Sequence, residues 1–528
     1  MAVVGAVAVL LSGCGGGRHR SSPRTTPAPA PPPPARPVPE LSYGLAAVPP
    51  GNWNVLAAGA DTPALTQVVD QVWPSVFHTG PNFSPRLDTT FVTSATETSS
   101  VPQTIVYRIN PKAVWSDGTP ITGADFAYTW QAQSGQAGFS DVGGKPYTPA
   151  STAGYSQISA VRFTASSPDV VTVVFSAPYA DWHSLFSHII PAHVAERVGF
   201  DAGFTDPVAD LVSGGPYEVV SYDPTGTVRL VRNPGYWGPP AAAPALDFVF
   251  VPDPAQIGAA LRAGQLSCAG VQADASTLSP LRKSAALAVR VAPGDEYLDL
   301  DFRESGGPLA ADTLRAAVSA AINRAGLVSH VVGAVDPGAA PVANRFLVPG
   351  QPGYHAGGPV PPPVSAGAGA HTATPLRLVS GQDPLAVAAS RVVVADLAVA
   401  GIAVTATAVA SLPAVLTSED WDMAVEVRPR TPFPGLSLDV YRSGSATNVD
   451  GFASPAMDAL LQSAAAASGT ARATLIDEAD QLAWTDHVDL PLVALPTAVV
   501  CQSGVTGVAP NPAPEGPAYD ANSWGAGM

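Results

Sequence analysis

Three regularly spaced histidines are the first residues of this chain that could do chemistry. His183, His188 and His193 lie five residues apart, and imidazole is the commonest metal ligand in proteins. Five residues turn about 140° along a helix of 3.6 residues per turn, so the three rings do not share one face. Pro191 also interrupts the segment. The pattern therefore favours surface and packing histidines over a metal site.

Two carboxylates and two arginines form a second set of candidates. Asp299 and Asp301 lie two positions apart in a stretch with strand character, which places both side chains on one face. A salt bridge or a hydrogen bond explains this pair more simply than acid–base catalysis. Arg428 and Arg430, followed by Thr431, suit an anionic ligand, because a guanidinium fork binds carboxylate or phosphate through two hydrogen bonds. The alternative is that both arginines are solvated loop charges.

The chain carries no motif of a familiar catalytic site. It contains no G-x-S-x-G nucleophile elbow, no S-x-x-K, no P-loop and no H-E-x-x-H. We therefore expect a protein that is not an enzyme and that uses no cofactor or metal. Nucleic acid is not an expected partner, because the net charge is -16 and no basic stripe exists to displace counterions.

The first fourteen residues predict a lipoprotein signal peptide. The apolar run 2–11 is too short to span a bilayer and fits a signal-peptide core. It ends in Leu-Ser-Gly-Cys, which resembles the lipobox of bacterial lipoproteins, so Cys14 would carry the lipid. Residues 15–40 are rich in proline and predict an extended tether. We expect a protein anchored by lipid on the extracytoplasmic face of the cell membrane.

The two remaining cysteines leave their redox state open. Cys268 and Cys501 could form a disulfide outside the cytoplasm, or could remain two buried thiols. The sequence slightly favours thiols, because two cysteines define no disulfide framework and neither has the C-x-x-C spacing of a metal site.

The elements that must position these residues include one distinctive segment, WSDGTPITGADFAYTW at 115–130. Asp117 and Gly118 predict a turn, and Thr122 with Asp125 three residues later forms a capping-box pattern at a helix start. The segment resembles the signature W.DG.P.tAdDf.yt of the extracytoplasmic solute-binding proteins of family 5, the dipeptide, oligopeptide and nickel receptors of ABC importers. GGPYEVVSYDPTGTVRLVRNPGYW at 214–237 and LRAAVSAAINRAGLVSHVVG at 314–333 resemble two further segments of this family.

Hydrophobic periodicity predicts the other elements. The predicted strands and hairpins are a strand opening at 41, a strand within 101–111, and hairpins at 161–178 and 214–237. The predicted helices are within 68–77, ending near Pro74, and at 181–190 and 314–333, the last with Asp312 as its N-cap. Residues 376–427 predict strand, helix, strand, short helix and strand, after a loose connection at 350–374.

The resemblance implies an α/β fold, a two-lobe clamp like the periplasmic binding proteins (type II, class C), with mixed sheets and two hinge strands. A chain of 528 residues also exceeds what one core usually serves. We expect a signal peptide at 1–14, a tether at 15–40, lobe one at 41–295 plus 491–528, and lobe two at 296–490. The hinge crossings are expected near 293–301 and 489–496, and the protein is expected to be a monomer.

The resemblance also suggests where a ligand would bind. In lobe one, Trp53, Asn54, Phe77 and His78 follow element ends that border the cleft in relatives. Aromatic rings there could stack on a flat or sugar-like ligand, but such rings more often fill the edge of the lobe. In lobe two, peptide-binding relatives offer an aspartate to the ligand amine within the stretch equivalent to 421–435. Thr431 is the residue nearest to that position in this sequence, and it comes directly after the segment that contains Arg428 and Arg430. Recognition of an ordinary peptide amine is therefore disfavoured.

Three functions follow from these observations. The first is a lipid-anchored receptor that delivers an oligopeptide or similar small solute to the permease of an ABC importer. The second rests on a similarity to LpqW-type lipoproteins at 191–194 and 232–239, and implies binding of a phosphoinositide mannoside and regulation of cell-envelope glycolipid synthesis. The third, an extracytoplasmic hydrolase, has no supporting motif.

Overall fold

The computed structural model describes residues 40–355 and 374–526. These residues belong to one compact unit, Val38–Met528. The predicted signal peptide with Cys14, the tether before residue 40 and most of the predicted loop at 350–374 lie outside the described residues. None of the described helices is both long and apolar enough to cross a membrane.

The strands of the described chain are, in order, β1 (Leu41–Leu45), β2 (Phe77–Thr79), β3 (Pro85–Leu87), β4 (Val92–Ser100), β5 (Gln103–Ile109), β6 (Ile158–Thr164), β7 (Ser167–Phe175), β8 (Tyr217–Asp223), β9 (Thr227–Arg232), β10 (Ala245–Phe250), β11 (Cys268–Gln272), β12 (Leu287–Phe302), β13 (Leu376–Ser380), β14 (Val404–Ala408), β15 (Met423–Pro429), β16 (Asp489–Gln502), β17 (Val505–Thr506) and β18 (Gly525–Ala526). The helices are α1 (Pro63–Val69), α2 (Gly123–Gln133), α3 (Ala192–Val198), α4 (Pro207–Asp210), α5 (Pro254–Arg262), α6 (Ala275–Arg282), α7 (Asp312–Ala321), α8 (Arg324–Val331), α9 (Pro384–Val399), α10 (Leu412–Leu416), α11 (Pro455–Ala466) and α12 (Gly469–Thr485).

One mixed sheet of ten strands organises the molecule, in the order β14-β13-β15-β12-β16-β11-β1-β10-β9-β8. β1 runs parallel to β10 and β11, and β13 runs parallel to β14 and β15. The other neighbours in this sheet are antiparallel. A second, antiparallel sheet has the order β4-β5-β7-β6. The sheets are therefore mixed, and each half of the large sheet has its own parallel part.

Separate hydrophobic cores pack on the two halves of the large sheet. We call the half containing β1 to β11 and the C-terminal residues lobe one, and the half containing β13 to β15 and α7 to α12 lobe two. Large buried side chains of lobe one include Trp73, Tyr107, Trp115, Phe126, Tyr217 and Trp524. Lobe two has a core on the sheet and another between α11 and α12, with Leu298, Phe302, Val393, Met457, Leu461 and Ile476 among their members.

The long strands β12 and β16 connect the two lobes. They pair antiparallel from Leu287 with Gln502 to Asp301 with Asp489. Their register shifts between Pro293 and Tyr297, so the ladder is interrupted near the middle of β12. Such a break lets the chain bend, because the extra residues leave the hydrogen-bonded ladder.

Most predicted elements are confirmed, because local chemistry specifies them. Thr122 accepts a hydrogen bond from the N–H of Ala124, and the Asp125 carboxylate accepts from the N–H of Thr122, so the capping box of α2 forms. The strand in 101–111, the hairpins at 161–178 and 214–237, and the five elements of 376–427 are also present.

Three helix predictions are wrong in detail. The helix expected at 68–77 begins earlier, because Thr62 caps α1 and Pro63 opens it, and it ends at Val69. Residues 181–190 form only a short 3-10 turn. The helix expected at 314–333 is divided into α7 and α8, because Asn323 caps a new helix by accepting from the N–H of Gly326. The N-cap of α7 is Ala311 rather than Asp312.

Candidate functional site

Arg428 lies on β15 among carboxylates, and together with Thr431 it also lines a small cavity of about 170 Å³. Its guanidinium contacts Asp301 at 2.5 Å, Asp450 at 3.1 Å and Asp299 at 3.2 Å. The three carboxylate side chains are at most 4% exposed. A cation that is held by three buried carboxylates is already neutralised. These carboxylates already contact the Arg428 guanidinium, and its contact with a ligand stays a prediction. Asp299 and Asp301 form the salt bridges expected of them.

A second buried arginine extends this cluster. Arg345 contacts Asp489 at 2.5 Å and Asp480 at 3.2 Å, and the hydroxyl of Tyr441 donates to Asp489 at 2.6 Å. The ring of Trp484 lies 4.3 Å from the Arg345 guanidinium. The cluster thus spans β12, β15, β16 and α12, and it fixes these elements of lobe two to one another.

The cluster contains more carboxylates than guanidinium groups. Burial raises the pKa of Asp299 and of Asp301 well above the usual range, and raises the pKa of Asp450 to about 7. Asp299, Asp301 and Asp489 each place an oxygen within 4.8 Å of the others, as a metal site would require. Arg428 and Arg345 already contact these three residues. The guanidinium groups of Arg428 and Arg345 therefore supply the positive charge that a metal ion would otherwise supply to these three carboxylates.

Arg430 differs from Arg428 although it lies only two residues away. It is 6% exposed, and within 40–355 and 374–526 it has no carboxylate within the 4.0 Å of a salt bridge. One guanidinium N–H donates to the carbonyl of Gly294 at 3.2 Å, and Nε has no hydrogen-bond partner among the described residues. The guanidinium lies 5.5 Å from the ring centroid of Tyr297. Burial lowers the pKa of Arg430. The charge of Asp295 acts on Arg430 only from beyond salt-bridge distance, so the guanidinium can still accept an anion directly.

The loop that follows Arg430 reaches lobe one. The hydroxyl of Thr431 donates to the carbonyl of Phe433 at 2.7 Å, which fixes the start of the loop. Four residues after Thr431, the N–H of Gly435 donates to Asp181 of lobe one at 3.0 Å. Arg472 on α12 contacts the same oxygen at 2.8 Å. Arg430 and Thr431 therefore lie beside the junction of the two lobes.

The sequence analysis missed the pair formed by Asp181 and Arg472. Both side chains are about nine-tenths buried, and they are 291 residues apart in the chain. No local pattern marks either residue, because each is an ordinary charged residue in its own segment. Only the approach of the two lobes identifies them as partners.

Trp53 and Asn54 belong to the interior of lobe one, which favours the packing alternative over ligand contact. Trp53 is 1% exposed and packs edge-on against Tyr222 and Phe250. Asn54 is fully buried, donates to the carbonyl of Phe200 at 2.9 Å and accepts from the N–H of Leu56 at 3.1 Å. Their polar and aromatic groups already make hydrogen bonds and packing contacts within lobe one.

Phe77 and His78 lie on β2 but have different surroundings. Phe77 is 8% exposed and packs edge-on against Trp182, so it serves mainly the core. His78 is 33% exposed and its Nε2 lies 3.6 Å from Asp88. His78 lines a cavity of about 390 Å³ whose walls all belong to lobe one.

The three spaced histidines do not meet in space. His188 is buried and its Nε2 lies 2.7 Å from Asp70. His193 contacts Asp117 at 2.8 Å, and His183 stacks on Trp182 with ring centroids 3.7 Å apart. Each ring has its own local packing partner, as the sequence analysis expected.

Cys268 and Cys501 are joined as a disulfide in the structure. They are direct partners across β11 and β16, and both are at most 2% exposed. The slight preference for two free thiols is therefore wrong. The sequence does not reveal that the two strands are neighbours, because 233 residues separate the cysteines.

A larger cavity of about 670 Å³ lies at the carboxyl ends of the parallel strands β1 and β11. Leu45 and Ala46 line it at the end of β1, and Gln272 at the end of β11. Thr497 of β16 also lines the cavity, near the register shift between the lobes. Ligands of open α/β sheets bind outside the carboxyl ends of the strands. This cavity is therefore the candidate ligand-binding surface of lobe one.

Comparisons with known proteins agree with this geometry. The family model of the bacterial extracellular solute-binding proteins, family 5 Middle, matches residues 85–435. The oligopeptide-binding protein OppA of Mycobacterium tuberculosis is 30% identical over 321 residues, which cover 60% of this chain and 52% of OppA. The probable monoacyl phosphatidylinositol tetramannoside-binding protein LpqW of the same species is 29% identical over 294 residues, covering 53% of this chain and 43% of LpqW. The chain thus spans about half the length of these curated relatives.

The structure is also similar to solved structures over nearly its whole length. The periplasmic EDTA-binding protein EppA is 26% identical, with a TM-score of 0.76, and the match covers 93% of this chain and 97% of EppA. The fold is therefore the two-lobed fold of the periplasmic binding proteins, with mixed sheets. The relatives and structural neighbours are binding proteins rather than enzymes.

Proposed function

Because this chain belongs to family 5 of the bacterial extracellular solute-binding proteins, we propose that it is a receptor that delivers a small solute to an ABC importer. A lipid on Cys14 would anchor it to the extracytoplasmic face of the cell membrane, and residues 15–40 would form its tether. The sequence Leu-Ser-Gly-Cys at 11–14 supports the anchor. The partner in delivery is the permease of the importer.

The proposed receptor closes by bending between its lobes. Lobe one comprises 41–295 with 491–528, and lobe two comprises 296–490. The bend lies where the pairing of β12 with β16 shifts register, between Pro293 and Tyr297. The contacts of Asp181 with Arg472 and Gly435 hold the lobes together in the present conformation. Hinge closure around a solute is the usual motion of such clamps.

The buried guanidinium of Arg430 is the observation that carries the choice of ligand. Because it has no carboxylate partner among the described residues, a carboxylate or phosphate of the ligand supplies the missing charge. Thr431 follows it and replaces the acidic group that would bind an amine. EppA, a similar protein by structure, is named for binding EDTA, a polycarboxylate. The proposed solute is therefore an anionic small molecule, or an oligopeptide bound through a carboxylate.

A second candidate function keeps the same anion site but involves no transport. LpqW is named as a probable binding protein for a phosphoinositide mannoside, and the phosphate of such a lipid would suit Arg430. In this alternative the protein would regulate the synthesis of cell-envelope glycolipids. The two functions share Arg430 and differ in the cargo.

Mass spectrometry of small molecules that copurify with the protein distinguishes the cargoes. We expect an anionic solute or an oligopeptide, whereas a phosphoglycolipid would favour the regulatory function. Calorimetry with the recovered compound then tests Arg430. We expect Arg430→Met to weaken binding at least tenfold and Arg430→Lys to restore part of the loss, because lysine keeps the charge but not the fork. Arg442→Met is the matched control, since Arg442 is 41% exposed and pairs locally with Asp439. An unchanged affinity of Arg430→Met would refute the anion site.

A further inference from the structure

The small cavity of about 170 Å³ in lobe two adjoins the proposed anion site. Its lining includes Tyr297 of β12, Thr431, and Tyr441 of the short 3-10 helix Leu438–Tyr441. It shares no lining residue with the cavity of about 670 Å³ in lobe one. The proposed function gives this cavity no role.

The accessible surface of the cavity is mostly apolar. Phe346 and Tyr441 pack edge-on in its lining, with ring centroids 5.1 Å apart. Val440 and Tyr297 add further apolar surface. The hydroxyl of Tyr441 donates to Asp489 at 2.6 Å, which fixes that ring. An apolar group therefore gains free energy when it leaves water for this cavity.

Two guanidinium groups, those of Arg345 and Arg428, also line the cavity. Arg345 contacts Asp480 and Asp489, and Arg428 contacts three other carboxylates. Because both cations are already paired, they offer no uncompensated positive charge to an anionic guest. The planar guanidinium group also packs well on an aromatic ring. The two arginines therefore suit an uncharged ring better than a second anion.

The size of the cavity corresponds to a single ring. An engineered cavity of about 150 Å³ holds benzene, so the volume of about 170 Å³ accommodates a benzene-sized group and little more. Sites for whole small-molecule ligands begin at about 300 Å³. The cavity therefore has the size of a subsite for one group of a larger ligand.

The rim of the cavity lies beside Arg430. Tyr297 is 2% exposed and belongs to the floor, whereas Thr431, Ser437 and Val440 are half-buried and form the rim. Thr431 follows Arg430 directly in the chain. The ring of Tyr297, which lines the cavity, has its centroid 5.5 Å from the Arg430 guanidinium. A ligand held by Arg430 can therefore extend past Thr431 into the cavity.

We propose that this cavity is a specificity subsite of the receptor, which takes an apolar group the size of a benzene ring from a ligand whose carboxylate or phosphate is bound by Arg430. The inference rests on the proposed anion site and narrows its ligands to anions that carry such a group on a short spacer. Arg430 sets the requirement for charge, and the cavity sets the requirements for size and polarity. Small hydrophilic anions leave the cavity empty and bind more weakly.

Calorimetry with simple carboxylates tests the proposal on the purified full chain. 3-Phenylpropionate, 4-phenylbutyrate and 5-phenylpentanoate carry the ring on spacers of increasing length, whereas butyrate and pentanoate lack it. We expect at least one phenyl compound to bind about tenfold or more tightly than either alkanoate, because burial of a phenylalanine-sized group contributes a factor of that order. Equal binding of the phenyl compounds and the alkanoates, or no binding of any phenyl compound at roughly 10 mM, would overturn the proposal.

Variants that fill the cavity locate the phenyl group. We expect Val440→Phe and Ser437→Leu each to lower the affinity of the best phenyl compound to that of the alkanoates, with circular dichroism showing that both variants fold. Ser437→Leu keeps the test valid if Val440→Phe prevents folding. Val399→Phe is the matched control, because Val399 is 89% exposed and outside the cavity. Unchanged affinity in the folded filling variants would rule out the subsite.

Arg430→Met separates a failure of the subsite from a failure of the anion site. We expect this variant to weaken the best phenyl compound at least about tenfold, because the carboxylate loses its guanidinium partner. If only the filling variants leave the affinity unchanged, the subsite is wrong and the anion site stands. If Arg430→Met leaves it unchanged, the anion site itself is wrong, and the subsite proposal falls with it.

Discussion

Replacing Arg428 with methionine tests whether this residue is structural rather than a ligand contact. Methionine keeps much of the apolar stem but removes the charge that faces Asp299, Asp301 and Asp450. All three carboxylates would then lie in the core of lobe two without that cation. Removing one partner of a buried ion pair costs about 3–5 kcal/mol. We expect the free energy of unfolding to fall by that amount at pH 7.

The dependence on pH separates this mechanism from simple loss of packing. Without Arg428, the buried carboxylate that this cation keeps ionised must take up a proton. Holding one protonated at pH 7 costs roughly 4 kcal/mol against an unfolded pKa near 3.9, but only about 1.5 kcal/mol at pH 5. The defect should therefore shrink as the pH falls. Asp450 shows the same direction of pKa shift in the native protein, because burial raises its pKa to about 7. Its contribution to stability is present below about pH 4 and is lost as the pH rises towards 7.

Urea unfolding of wild type and variants at pH 5 and pH 7, followed by tryptophan fluorescence, measures both effects. Trp421 and Trp484 are buried in lobe two and report on the affected region. Arg430→Met is the matched comparison, and should cost at most about 1–2 kcal/mol, because the lost hydrogen bond and the lost contact with Tyr297 are offset by removing a buried charge that has no salt bridge. A loss below about 1 kcal/mol for Arg428→Met, or an equal loss at both pH values, would contradict the reasoning.

Two further predictions concern the junction of the lobes and the disulfide. Arg472→Met removes the guanidinium that contacts Asp181 at 2.8 Å, and Gly435→Ala would place a Cβ in steric conflict with the same carboxylate. Both variants should favour a more open form, seen as a larger radius of gyration in X-ray scattering, and an unchanged radius would argue against a closing contact. Replacing Cys268 and Cys501 with serine should lower the free energy of unfolding by about 2–5 kcal/mol. Thermal unfolding of wild type with and without reductant provides the check, and equal melting temperatures would contradict a stabilising bond.

Several parts of the fold could be predicted because neighbouring residues specify them. The capping box of α2 needs only Thr122 and Asp125, three positions apart. The hairpin of β8 and β9 needs only its alternating pattern and the turn beginning at Asp223. Where local signals competed, the prediction failed. Pro63 and Thr62 start α1 earlier than the apolar pattern alone suggests.

The candidate site was predicted less well, because the function of a side chain depends on its partners. Arg428 and Arg430 have the same residue type and the same local spacing, so the sequence treats them alike. The structure gives Arg428 three carboxylates and leaves Arg430 without one among the described residues. Trp53 and Asn54 follow a strand end as expected, yet they face the interior rather than a cleft.

The sequence by itself determined the family resemblance, the order of most elements and the absence of familiar catalytic motifs, since these depend on residues close together in the chain. The tertiary structure alone decided which distant residues became partners. Asp301 meets Arg428 across 127 residues, Cys268 meets Cys501 across 233, and Asp181 meets Arg472 across 291. Short-range preferences cannot encode such pairings, because burial, charge compensation and the approach of two lobes arise only when the whole chain has folded.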